Sequence, residues 1–368
     1  MNAGFGRRQG GAAPNGPLRT AAMQAAPDTA QGDGPDRHPW NHTARGGLAA
    51  RQPGAGETTT MQFFLEVLIG GLLSGVMYAL VALGFVLIYK ASGVFNFAQG
   101  AMVFFAALTF VGFQELLPAH LGLAADGSAV FWLSFLLAFG VMVVLGIATE
   151  RIVLRPLVNQ PHITLFMATI GLTYVVEGLA QMTWGANVRG LDLGIVDEPI
   201  AWLMDTYEIG VSKFDLFAAG VAASLVTLLA LLFQYTKVGR ALRAVADDHQ
   251  AALSIGIPLQ TIWRVVWAVA GFVALVAGLI WGARNGVQFA LTFTALKALP
   301  VLILGGFTSV PGAIVGGLII GASEKLAEVY VGPMVGGGIE GWFPYMLALA
   351  FLLVRPEGLF GEKHIDRV

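Results

Sequence analysis

Several things this chain of 368 residues does not have narrow its chemistry at once. It contains no cysteine, which excludes disulfides, iron–sulfur clusters and thiolate metal sites. Its six histidines are scattered without metal-ligand spacing, so no resident metal is expected, and nothing calls for a cofactor. Charged residues make up only 12% of the chain, against about 25% in soluble domains. The net charge of −2 gives no basis for nucleic-acid binding. The Walker pattern G-x-x-x-x-G-K-[ST] is absent, and no nucleophile–base pair stands out, so a catalytic role is not expected. Any work done on a solute must then draw on an ion gradient or on another subunit.

What the chain does have is apolar sequence. Hydrophobic residues reach 56% with a mean hydropathy of +0.71, and the expected class is an all-α, polytopic transmembrane bundle. Residues 1–60 stand apart: rich in Gly, Ala, Pro, Asp and Arg, they contain no apolar run and read as a disordered extension. They lack the apolar core of a secretory leader. The codons for Gly56–Glu57 can spell a purine-rich ribosome-binding site, and three threonine codons then give a spacer, so translation is expected to start at Met61. A transmembrane region is assigned to 61–358 and a cytoplasmic tail to 359–368.

A spanning helix needs about 20 mostly apolar residues. About nine segments qualify in whole or part, near 63–89, 94–115, 130–149, 163–184, 212–235, 263–283, 291–306, 311–330 and 341–354, for an expected eight to ten spans. The seventh and ninth are short. Basic residues in short loops face the cytoplasm. Loop 237–264, with Lys237, Arg240, Arg243 and Arg264, is therefore placed inside, together with Lys90, Arg151 and Arg155, and the C-terminal tail. The acidic loop 185–211 falls outside. The arginines of residues 1–60 would conflict with this orientation, and a start at Met61 removes them.

Three regions invite a functional reading. Loop 237–264 holds an alanine-rich helical pattern at about 241–255, stopped by Gly256 and Pro258. Such a helix can grip a partner protein or lie on lipid headgroups, which Arg240 and Arg243 favour. After Lys90 the chain turns at Ser92–Gly93 and re-enters through Asn96, Gln99 and Gly100. Asn96 and Gln99 can line a polar cavity, or Asn96 can simply cap a helix. Gly71 and Gly75, and Gly312, Gly316, Gly317 and Gly321, have the spacing of close helix contacts. The break at 304–312 is either a plain loop or the border of a path.

Charges within apolar segments are costly and often functional. Glu177 is the best candidate for a buried or path-lining charge. Glu324, Lys325 and Glu328 fall near the outer end of the eighth segment, where headgroup exposure is the preferred reading and Lys325 can pair with Glu328 at i,i+3.

Four blocks resemble one family in order and spacing. The run YALVALGFVLIY followed by GVFNFAQG resembles the first block of LivH-type permeases of branched-chain amino acid ABC importers. Glu150–Leu157 resembles the family's E-R-x-x-x-R-P loop, and Gly239–Ala244 through Ile257 its coupling loop. Lys297-Ala298, Leu304-Gly305-Gly306 and Ser309–Ala313 resemble its K-A…L-G-G-x-x-S-x-P-G-A block. Gln99 and Ala101 stand where the family usually has His and Glu, so no protonatable pair exists at that turn.

The resemblance implies a permease subunit without its own ATPase, in a bacterial inner membrane, moving branched-chain or other hydrophobic amino acids by alternating access. Urea or short amides are the alternative cargo, and a self-sufficient secondary transporter is the other class. Implied partners are two ABC ATPases, a second related permease and a periplasmic solute-binding protein. The ATPase-coupling surface would comprise Gly239, Arg240, Arg243, Ala246, Asp247, Asp248, Ala251, Ala252, Leu253 and Gly256. Asn96, Gln99 and Glu177 would border the path.

Overall fold

In the computed structural model, residues 58–361 are described apart from 123, 125, 126, 158, 159 and 248. The extension expected at 1–60, with its start-site assignment, lies almost wholly outside them, as do Asp248 and the last seven residues of the tail. Among the described residues the chain is helical, with only two isolated bridges, Arg189–Val287 and Pro199–Ser212.

The first helix, α1 (Thr58–Ser92), leads through a short turn to α2 (Gln99–Leu121) and α3 (Ser128–Ala148). The helix α3 runs on through a π turn (Thr149–Leu154) and a 3-10 turn (Arg155–Leu157). Then come α4 (His162–Trp184), the short α5 (Ala201–Tyr207) and α6 (Lys213–Tyr235). A helical pair, α7 (Lys237–Asp247) and α8 (His249–Ser254), precedes the long α9 (Leu259–Asn285). Two short helices, α10 (Leu291–Leu296) and α11 (Ala298–Gly305), lead to α12 (Val310–Tyr330). The chain closes with α13 (Gly332–Val335), a 3-10 turn (Ile339–Gly341) and α14 (Phe343–Val354).

Among the described residues, seven helices are long and apolar enough to cross a bilayer. The segments 291–305 and 343–354 are shorter. At 1.5 Å per residue they reach only about 22 and 18 Å, below the hydrocarbon thickness of about 30 Å. The nine apolar segments of the sequence therefore resolve into seven full-length helices and two partial ones.

The helix α1 is apolar on every side, and residues 77–88 are buried throughout. A helix of that kind belongs at the centre of a bundle, and α1 packs against α6, α9, α11 and α12. Its closest neighbour is α12. A methyl placed on Gly75 would lie 2.5 Å from the Gly317 carbonyl oxygen, and one on Gly321 would lie 2.4 Å from that of Gly71. These four glycines let two backbones touch, which brings dispersion contacts that lipid cannot supply. Gly312 and Gly316 serve a different partner: they face Gly305 and Val301 of α11. By contrast α3, α4 and α6 expose Leu136, Val144, Tyr174, Met182, Leu228 and Leu231, the side chains of a lipid-facing periphery.

The chain gathers its ends into two groups. At one end, Lys90, Arg243 and Pro311 line a common cleft and Glu150 pairs with Arg264. At the other, Phe63 meets Tyr330, Arg189 pairs with Glu115, and Asp215 pairs with Arg284. Past α14, Leu359 and Phe360 donate their backbone N–H groups to the carbonyls of Leu304 and Gly305 at the end of α11. The segment assigned as a tail from 359 onward is bonded to α11 at its start.

Candidate functional site: a tethered helical hairpin, a sealed polar turn and a buried ion network

The hairpin is tied to α6 by side chains at its root. Thr236, between α6 and α7, accepts from the Gly239 N–H at 3.2 Å, the geometry of an N-cap. Arg243 reaches back to donate to the Phe233 carbonyl at 2.6 Å and to that of Gln234 at 3.3 Å. A cation at these terminal carbonyls satisfies acceptors that the helix leaves open and opposes its dipole. Arg240 donates to the Tyr235 carbonyl from an exposed position. Gly239 sits so close to Phe233 that a Cβ would meet its carbonyl oxygen at 1.9 Å, so only glycine permits this reversal.

Leu242, Val245 and Ala252 point inward and are buried, while Ala246 is half-buried. Ala251, Leu253 and Ile255 are exposed, the last two at 55% and 73%. The helical stretch starts at Lys237, earlier than the pattern at 241–255 indicated, because Thr236 caps it. Gly256, at φ +84°, closes α8, with its own N–H on the Leu253 carbonyl and that of Ile257 on Ala252. The side chain of Asp247 and the whole of Asp248 lie outside the described residues.

The turn between α1 and α2 is sealed in this conformation. Asn96 and Gln99 are both fully buried. Asn96 accepts from the Ala98 N–H at 3.1 Å and donates to the Gln99 side-chain oxygen at 3.3 Å. Gln99 donates in turn to the Ala270 carbonyl of α9 at 3.4 Å. The pair thus knots the start of α2 to α9 and faces no open cavity here. Around it Phe95 stacks on Phe85 at 5.0 Å and meets Phe97 edge-on at 4.6 Å, while Phe97 meets Phe166 of α4 at 4.8 Å. A cavity of about 410 Å³ opens beside this aromatic plug, lined by Tyr89, Phe95, Ile163 and Phe166. Glu177 of α4 is 7% exposed and lies beside Thr292 of α10, distant in sequence from the turn.

The eighth apolar segment carries the main correction. Glu324 is not exposed to headgroups: its relative exposure is 1%. Its Oε1 accepts from the Lys297 ammonium at 3.0 Å and from the Tyr78 hydroxyl at 3.2 Å. The Tyr78 ring stacks on Trp281 of α9 at 5.4 Å. Lys325 does not pair with Glu328 either. It pairs with Glu340 at 3.0 Å, and Glu328 instead accepts the backbone N–H groups of Gly338 and Glu340, each at 2.8 Å. The loop 331–341 folds back over the end of α12 and offers these partners, which i,i+3 spacing cannot reveal. With Asp215–Arg284, three ion pairs join α6, α9, the α10–α11 junction, α12 and the 3-10 turn. Arg284 and Asp215 were invisible as a pair in the sequence because each lies at the end of an apolar helix, where a charge is ordinary.

The Glu150 block also has a definite place. Glu150 is buried in the π turn and accepts from Arg264 at the start of α9 at 3.3 Å. A π turn rotates its side chains out of the α register, which here lets the carboxylate reach inward.

Comparison with known proteins decides the family. The family model described as "Branched-chain amino acid transport system / permease component" matches residues 67–354, most of the chain. The chain belongs to this family. It is 26% identical over 312 residues to the high-affinity branched-chain amino acid transport system permease protein LivH of Salmonella typhimurium, covering 83% of this chain and 98% of that one. It is 25% identical over 313 residues to BraD of Pseudomonas aeruginosa, a permease protein of the same description, with the same coverage. A more distant relative is the fructose import permease protein FruF of Bifidobacterium longum, 26% identical over 257 residues, or 67% of this chain and 66% of that one. Family and helices together make this a multi-pass membrane permease component of LivH type.

Proposed function

We propose that this permease is one half of the translocation unit of an ABC importer, carrying branched-chain or other hydrophobic amino acids. Two separate ATPases drive it, a second related permease completes the path, and a soluble binding protein delivers cargo at loop 185–211. The hairpin end, with the C-terminal segment, faces the cytoplasm of a bacterial inner membrane. The names of the LivH and BraD relatives favour amino acids as cargo. The fructose relative cautions that one architecture serves other solutes.

The observation that carries the reading is the tethered hairpin. A coupling element must be rigid at its root and sticky at its tip. Thr236 and Arg243 lock the root to α6, and exposed Leu253 and Ile255 offer apolar contact area at the tip. A helix meant only to float on headgroups needs no such root. In this reading Arg240 at the root and Ala246 and Ala251 nearer the tip contact the ATPase, Asp247 and Asp248 add acidic contacts by their place in the sequence, and Ala252 holds the helix from behind. Asn96, Gln99 and Glu177 then border the path in another conformation, once the aromatic plug parts.

The decisive experiment reconstitutes the importer in proteoliposomes with and without residues 244–253 of this chain. Loss of uptake with intact membrane insertion is expected. Uptake by the permease alone, without ATPases, would place it among secondary transporters instead.

A further inference from the structure

A second cleft lies at the hairpin end, between α1, α6, α7 and α12, with a volume of about 320 Å³. Its walls are apolar, with Leu87, Phe233, Leu242 and Ile314 among them. Its charged lining consists of Lys90 and Arg243, both cations. Lys90 is half-buried in the last turn of α1, and no described carboxylate pairs with it: the six ion pairs among the described residues all lie elsewhere. Arg243 spends its two hydrogen bonds on the Phe233 and Gln234 carbonyls, out of five N–H donors.

We infer that this cleft binds an anionic glycerophospholipid, with its phosphate between Lys90 and Arg243 and the start of an acyl chain along Leu87, Phe233 and Ile314. A half-buried ammonium without a counter-ion is costly, and an anion supplied from outside restores the balance. Two cations over an apolar cleft between helices match a headgroup joined to a chain, and basic interhelical pockets of this kind take anionic lipid headgroups. A free phosphate shares the anion but has no use for those walls. The site abuts Gly239 and Leu242, so its occupant would brace the root of the hairpin against α1 and α12. Binding itself stands whether or not the hairpin docks an ATPase.

The test is native mass spectrometry of the delipidated importer complex after adding back phosphatidylglycerol, phosphatidylcholine or inorganic phosphate. Phosphatidylglycerol should be retained over phosphatidylcholine, and excess inorganic phosphate should not displace it. Lys90→Gln should lower that retention at least about five-fold, while Lys237→Gln, which removes an exposed lysine outside the cleft, should not. Ile314→Trp, which fills the cleft and keeps both cations, should also lower it, and decides the matter where Lys90→Gln fails to assemble. Equal retention of the two lipids, an equal loss with Lys237→Gln, displacement by phosphate, or wild-type retention by Ile314→Trp would each overturn the inference.

Discussion

Glu324 and Lys297 meet at 3.0 Å in the interior of the bundle, with the Tyr78 hydroxyl on the same carboxylate oxygen. The other oxygen, Oε2, has no hydrogen-bond partner among the described residues. Removing one member of such a pair leaves an uncompensated buried charge, at a cost of about 3–5 kcal/mol. Lys297→Met should therefore lower the thermal stability of the detergent-solubilised protein sharply. The double variant Lys297→Met/Glu324→Gln should recover a large part of the loss. A single variant as stable as wild type would show that the pair is not closed in the membrane.

The contact between α1 and α12 should tolerate nothing larger than glycine at its centre. Gly75→Leu forces the backbones apart, since even a Cβ there overlaps Gly317. Overpacking typically costs about 1–3 kcal/mol, and here the clash is with main chain, which cannot rotate away. Gly70→Leu, on the same helix but with open space around it, should be neutral. The yield of monodisperse protein after solubilisation compares the two directly.

The hairpin root should separate transport from ATP turnover. Thr236→Ala removes the cap of α7, a loss of about 1 kcal/mol, and Arg243→Ala frees the carbonyls of Phe233 and Gln234. In the reconstituted importer both should reduce solute moved per ATP hydrolysed while the permease stays in the complex. Leu253→Asp should instead weaken ATPase docking, which co-purification measures. If Arg243→Ala leaves the transport ratio unchanged, the root is not a mechanical element.

Acid should loosen the loop over α12. The Lys325 ammonium, bonded to Glu340, holds that carboxyl below its usual range. A lowered folded pKa stabilises the protein above the unfolded value, and that contribution disappears as pH falls through the folded value. The stability difference between wild type and Glu340→Gln should therefore be full near pH 6 and shrink below about pH 4. Glu340 is partly exposed, so screening keeps the effect small, and added salt should reduce it further.

Hydrophobic runs made the long helices legible, because membrane spans are written in composition and length. The hairpin was legible as a charged, alanine-rich interruption with a glycine stop. Its root was not, because Arg243 acts on carbonyls of the preceding helix, and a backbone acceptor leaves no mark in a sequence. The ion pair of Lys325 escaped for a related reason. Lys325 has Glu328 one turn away, yet the partner it takes is Glu340, delivered by a glycine-rich loop whose path depends on tertiary packing. At Asn96 an amide at a helix mouth read either as a cavity lining or as a cap, and its bond to Gln99, which in turn holds the Ala270 carbonyl of α9, left no mark in the sequence. Gly71, Gly75, Gly317 and Gly321 were visible as a pattern, but which helix each would touch was not.

The bonds from Leu359 and Phe360 to the end of α11 bear on how this protein is made. The carbonyls of Leu304 and Gly305 emerge from the ribosome more than fifty residues before the groups that satisfy them. Until synthesis has passed Phe360, these two buried carbonyls at the end of α11 lack the donors that meet them in the finished fold, and open buried acceptors are costly. The second half of the bundle is therefore sealed late, and a chain cut just after α14 should be one that the cell's quality control destroys.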